Sequence, residues 1–189
     1  MKIKVLSHQR FDEDMRQMHL NDENVENSEM AFISIIGTPE CLRYYLDEED
    51  TKHYFKDHPN VLNLDFDDIS TDVLYNGHHF KTMTMGQAEN TVDFIEKAVN
   101  SGVNIIEIHC RAGMSRSRAF AEFIYRYCKE NDVEVDYEDR NEYITILNQG
   151  VLRRLNHAYW KKHKMHDYEN GGEYPNDLKH TELRVIERD

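Results

Sequence analysis

Several things are scarce in this chain, and each scarcity narrows what the protein does. Its 189 residues hold three cysteines, Cys41, Cys110 and Cys128, with no CxxC pair. An odd, widely spaced set makes no disulfide framework, so a reducing, cytoplasmic setting is expected. Cations are few: 23 Lys and Arg stand against 36 Asp and Glu, for a net charge of -13. That excludes broad binding to nucleic acid or to anionic membranes, which both favour basic surfaces. No apolar run approaches the roughly 20 residues of a membrane helix. The opening "MKIKVLSHQRFDED" quickly turns polar and lacks the apolar core of a secretory signal. GxxxxGK[ST] and GxGxxG are both missing, so a nucleotide fold has no support. The 11 histidines are scattered, six of them in "HYFKDH", "NGHHF" and "HKMH", without HExxH spacing or cysteine partners. They read as solvated loop residues, and no metal or cofactor is expected.

What is present reads as one soluble domain. Hydrophobic residues make up 39% and charged residues 31%, enough for a core at this length. Four β-branched runs predict strands: Ile3–Ser7, Ala31–Gly37, Val61–Phe66 and Val103–Cys110. Helical patterns lie between and after them. "TPECLRYYL" begins with Thr38 as N-cap and Pro39 at the first helical position. "GQAENTVDFIEKAVNSG" puts Ala88, Val92, Ile95 and Val99 on one face, with Gly102 as the stop. "SRAFAEFIYRYCKEN" carries a stripe from Ala119 to Cys128, and "EYITILNQGVLRRLNHAYWKK" reads as two helical pieces broken near Asn148–Gly150. Strands alternating with helices predict an α/β fold, a single domain around a central, mostly parallel sheet flanked by helices. The domain is expected to run over residues 1–165. Residues 166–189 lose apolar periodicity and read as a polar tail, in which "ELRVIE" could add an edge strand.

The chemistry concentrates in "IIEIHCRAGMSRSRAF", Ile105–Phe120. Cys110 ends a strand, and a helix begins about six residues later. A loop in that position aims backbone N–H groups inward at the positive end of a helix dipole, which makes an anion site. The same field, with arginines nearby, favours a nucleophilic thiolate. Gly113 permits torsions that other residues resist. Arg116 can grip two oxygens of one anion through its planar fork. A tetrahedral phosphate fits such a site in charge and shape.

"HCRAGMSRS" resembles the H-C-x5-R-S/T signature of the cysteine-based protein phosphatases, most of all the compact dual-specificity and prokaryotic-type tyrosine phosphatases. A weaker resemblance runs from about Ile3 to Trp160, and "ILNQGVLRRL" is similar to the P-N-x-x-F-L-x-x-L of dual-specificity members, with Leu147 where proline is usual. The resemblance implies roles residue by residue. Cys110 would attack phosphorus and form a phosphocysteine. Arg116 would hold the equatorial oxygens. The loop of Arg111, Ala112, Gly113, Met114 and Ser115, with Arg116, would bind the substrate phosphate through its N–H groups. Ser117 would donate to the departing thiolate, and His109 would orient the loop and tune the thiolate. Of the side chains, Ser115 reads as loop backbone only, Arg111 as a rim cation or a plain solvated one, and Arg118 as a helix-flank residue paired with an acid. Cys41 and Cys128 read as packed thiols.

The implied reaction also needs a general acid, which the family draws from an aspartate upstream of the cysteine. "LDFDDIS" offers Asp65, Asp67 and Asp68. Asp68 is favoured, then Asp67, and Asp72 remains open. The distance from Asp68 to Cys110 exceeds that usual in the family, and "STDVLYNGHHFKTMTMG" is the extra length. Asn148 and Gln149 are candidates to place the second-step water, though helix capping explains Asn148 equally. The implied function is hydrolysis of phosphotyrosine in proteins, with phosphoserine and phosphothreonine as further substrates. The rivals are a phosphate-binding module without catalysis, and the same loop acting on a phosphoinositide, an RNA 5′-phosphate or in sulfur transfer. The expected partner is a phosphorylated protein, and a monomer is favoured.

Overall fold

The computed structural model describes residues 1–39, 52–137, 140 and 146–164. Its centre is a four-stranded sheet of β1 (Lys2–Ser7), β2 (Met30–Ile36), β3 (Val61–Asp65) and β6 (Ile105–Cys110), in the order β1-β6-β2-β3. Every pairing is parallel, with Val5 beside Ile108 on one side of β6 and Ile33 beside it on the other. All four strands therefore end at one edge, the edge where parallel sheets place their ligands. The four predicted strands are these four, each within two residues of its expected bounds.

Helices cover both faces. α2 (Met85–Asn100), α3 (Arg116–Glu130) and α4 (Gln149–His163) pack on one face, over a core of Ile33, Ile35, Ile106, Ile108, Phe120 and Ile124. The stripe from Ala119 to Cys128 is buried as the spacing predicts. Thr84 caps α2 with a reciprocal Gln87 capping box, and Gly102 follows its end at φ +76°. Val99, expected on the buried face, is only half-buried, and Ala98 and Thr91 take that face instead.

The other face carries α1 (His8–Gln17), which no expectation covered. Ser7 caps it by accepting from the Arg10 amide, and Phe11 and Met15, one turn apart, bury completely. Phe11, Phe32 and Phe55 meet edge to face or tilted around a second core. A fully buried phenylalanine or methionine is worth roughly 1.5–3 kcal/mol, so this small layer pins β1 to the site edge. A further surprise is a hairpin of β4 (Val73–Tyr75) and β5 (His78–Phe80) turning at Asn76–Gly77, with φ +49° and +77°. It occupies the extra length between Asp68 and α2. Of the helix proposed from Thr38 through Leu46, everything beyond Pro39 lies outside the described residues, as do Cys41, residues 142–145 of the first piece of "EYITILNQG" and the tail.

Candidate active site

The site is built where β6 hands over to α3. Cys110 is the last residue of the strand and Arg116 the first of the helix. The loop between them folds back onto the β1–α1 junction, where the His8 amide donates to the Arg111 carbonyl at 3.2 Å. Gly113 makes this contact possible. Its φ is +68°, and a β-carbon there would sit 2.6 Å from the Leu6 carbonyl carbon and 2.7 Å from the Ser7 nitrogen. Only glycine fits both the torsion and the space. Among the described residues, no amide from Ala112 to Ser115 donates a backbone hydrogen bond. Four successive N–H groups without backbone partners at a helix N-terminus are able to receive an anion.

Cys110 and Ser117 are buried, with Sγ and Oγ 3.1 Å apart. Arg116 is 6% exposed. One of its terminal nitrogens donates to two carbonyls, Ile36 at 3.0 Å and Phe66 at 2.7 Å, so the ends of β2 and β3 clamp the guanidinium. Its Nε is buried without a hydrogen-bond partner, and no carboxylate among the described residues forms an ion pair with it. A buried cation is costly without a counter-charge, so Arg116 is poised to meet an anion from outside. Cys110, Arg116 and the 111–115 loop line a cavity of about 250 Å³, which Asp68, Ile69 and Phe80 wall on the other side. That is below the roughly 300–1,000 Å³ of drug-sized pockets, and suits a small anion on its stem.

The three aspartates separate cleanly. Asp67 is 2% exposed, and its carboxylate accepts from the Thr38 amide and hydroxyl and from the Lys81 amide, each at 2.8 Å. It ties three loops together. Asp72 accepts from the Thr82 amide at 2.7 Å and hydroxyl at 2.9 Å, and the amide bond above all holds its carboxyl below the usual range. That is an anchor's setting. Asp68 is exposed at the cavity mouth, where its Oδ1 accepts from the Ser115 hydroxyl and the Asn148 side-chain amide, both at 2.8 Å. Ser115, read as backbone only, instead joins the two halves of the site through its side chain.

Comparison with known proteins leaves the chemistry to be argued from these residues. No family model matches the chain. No curated protein matches it. One solved structure that resembles it is the human tyrosine phosphatase-like serine/threonine/tyrosine-interacting protein, at 18% identity and a TM-score of 0.39, over 71% of this chain and 79% of that one.

The remaining candidates have definite places. Arg111, Ala112 and Met114 line the cavity, with Met114 46% exposed at its rim. Arg118 is buried on α3. His109 points to the opposite face of the sheet from Cys110, where its ring stacks on Phe11 at 4.3 Å and meets His8 edge-on at 5.0 Å. Neither ring nitrogen has a hydrogen-bond partner among the described residues. Burial first, then the nearby charges of His8, His53 and Arg116, push its pKa well below the ordinary histidine value. It is a neutral packing ring behind the loop. Burial pushes the Cys128 thiol up to about 11, which leaves it an inert packed sulfur. The described residues hold no cluster of three or more His, Cys, Asp or Glu able to bind a metal. Nor do they hold a helix long and apolar enough to cross a membrane.

Asn148 is the residue whose full part the sequence left open. It caps α4 by accepting from the Val151 amide at 3.0 Å while donating to Asp68. Gly150, two residues on, leaves room for the Asn148 side-chain oxygen and the Arg154 guanidinium, which would lie 3.2 and 3.3 Å from a β-carbon there, and Arg154 one turn on donates to the Thr82 hydroxyl at 3.0 Å. The first turns of α4 thus grip the aspartate loop from Asp68 to Thr82. The N-cap pattern marks the helix start, but nothing in it names the loop held across 80 positions.

Proposed function

We propose that this protein is a cysteine-dependent phosphatase that hydrolyses phosphotyrosine, and with it phosphoserine and phosphothreonine, in protein substrates. The observation that carries the reading is the buried Arg116 Nε, without an anion of its own, beside the Cys110 thiol and a run of unspent amides. A phosphate monoester supplies the missing charge and offers phosphorus to the sulfur.

In the first step the Cys110 Sγ attacks phosphorus as a thiolate, and the bond from phosphorus to the ester oxygen breaks. Asp68 gives that oxygen its proton. Arg116 and the loop amides take up the charge on the equatorial oxygens. In the second step a water attacks the phosphocysteine and loses a proton to Asp68. The P–S bond breaks, and the Ser117 hydroxyl, 3.1 Å from Sγ, stabilises the departing thiolate. Asp68 suits the acid role by position, since it stands at the mouth rather than in a tie between loops.

The test is release of phosphate from a small aryl phosphate by the purified, reduced protein without added metal, with inhibition by vanadate. Cys110→Ser is expected to abolish turnover and keep phosphopeptide binding. Binding without any wild-type turnover would overturn catalysis in favour of a phosphate-binding module.

A further inference from the structure

The β4–β5 hairpin stands beside the cavity with an apolar surface that the core does not use. Val73 is 41% exposed, Leu74 74% and Tyr75 53%. A two-stranded hairpin with three-residue strands is marginal alone, yet this one is fixed at its root. The Asp67 amide donates to the Lys81 carbonyl at 2.7 Å, the Asp67 carboxylate takes the Lys81 amide, and Asp72 and Arg154 hold Thr82. Its root is also the cavity wall, because Ile69 leads into β4 and Phe80 ends β5, and both line the cavity. The hairpin is thus a neighbour of any phosphate seated on the 111–115 loop.

We infer that one face of the hairpin reads the substrate chain beside the phosphorylated residue. This rests on the proposed phosphatase function. Cross-strand register decides which face. Val73 pairs with Phe80, Leu74 with His79 and Tyr75 with His78. Side chains alternate along a strand, so Val73, Tyr75 and His78 share the face of the wall residue Phe80, and Leu74 lies on the other. Tyr75 stands two residues beyond the Val73–Phe80 pair, about 7 Å at ~3.3 Å per residue. An extended peptide advances at the same rate, so the Val73–Tyr75 face meets side chains one to three residues from the phosphorylated one. Charge agrees with this occupant. In a chain of net charge -13, Val73–Phe80 ("VLYNGHHF") has no carboxylate, so the hairpin itself adds no repulsion toward an anionic segment beyond that of Asp68 and Asp72 at its root. The ligand is therefore a phosphoprotein segment with a large apolar side chain within three residues of its phosphorylated residue.

The test uses full-length Cys110→Ser protein and labelled phosphotyrosine peptides that differ only in leucine or asparagine two residues before, or two after, the phosphotyrosine. The leucine peptide on one side is expected to bind about tenfold tighter than its asparagine twin, the worth of one buried apolar side chain. Adding Val73→Ser and Tyr75→Ser is expected to cut that preference to about twofold or less, while Leu74→Ser leaves it. In the Cys110 protein, the Val73→Ser/Tyr75→Ser pair is expected to leave aryl phosphate turnover unchanged. Equal binding of the twins on both sides overturns the inference, and so does a Leu74→Ser loss as large as the double variant's. Parallel loss of aryl phosphate turnover also overturns it, because the hairpin then only braces the aspartate loop. Peptide discrimination without any turnover in the Cys110 protein would sink the catalytic reading and leave this one standing.

Discussion

At Gly113 the backbone takes φ +68° within 2.7 Å contacts of any added β-carbon to Leu6 and Ser7. Those contacts are backbone atoms, so Gly113→Ala has no flexible neighbour to push aside. The variant is expected to lose about 2 kcal/mol or more of stability, seen as a fall in Tm, and to lose phosphate binding even where it still folds. The aspartates give a second residue-level contrast. Asp68→Ala is expected to slow kcat about 100-fold with poor leaving groups and to leave Tm near wild type. Asp67→Ala removes a buried carboxylate that accepts three hydrogen bonds, at about 3 kcal/mol, so its Tm falls well below that of Asp68→Ala. The reverse pattern would move the acid role to Asp67. Cys110, Gly113, Arg116 and Ser117 were all legible in the sequence, since one nine-residue motif holds them in register. Asp68 was less so, because three acids in four positions differ only in what the folded loops offer each one.

At the scale of elements, α4 does more than close the core. Its N-terminal turns hold Asp68 through Asn148 and Thr82 through Arg154. Asn148→Ala is expected to cost about 1 kcal/mol as a lost cap. It is also expected to lower kcat more for poor than for good leaving groups, because the loosened Asp68 matters only where protonation does. Equal loss across leaving groups would reduce Asn148 to a cap. The four strands could be read because they are runs of β-branched residues, and α2 and α3 because each is long and carries an apolar stripe. α1 escaped notice because eight of its ten residues are polar or charged and only Phe11 and Met15 mark the spacing. The hairpin escaped because its strands are three residues long, although Asn76–Gly77 is the dipeptide such turns favour. Neither the hold of α4 on the aspartate loop nor the approach of Gly113 to β1 has a local signature, since both join residues far apart in the chain.

For the whole molecule, pH enters through histidines of opposite sign. His109 has a folded pKa well below the ordinary 6.5. Below about pH 6.5 the unfolded chain binds a proton that the folded chain refuses, so this stability is full above that pH and fades beneath it. His58, hydrogen-bonded to Glu26 and Asp22, has its pKa raised. Its contribution is full below 6.5 and fades as pH rises through the higher folded value. His109→Phe is expected to flatten the fall of Tm between about pH 6.5 and 5 relative to wild type, and an unchanged slope would refute a buried neutral ring. The proposed phosphate loop sits in a molecule of net charge -13, so added salt is expected to weaken the repulsion and raise the rate of phosphopeptide association. The central claim is that Cys110 becomes covalently phosphorylated. Its most direct measurement is rapid acid quench of the Asp68→Ala variant with an aryl phosphate, followed by mass spectrometry of the peptide containing Cys110. A phosphoryl group on Cys110, absent in Cys110→Ser, is the expected result. Phosphate release in wild type with no phosphoryl group on Cys110 at any quench time would contradict the account.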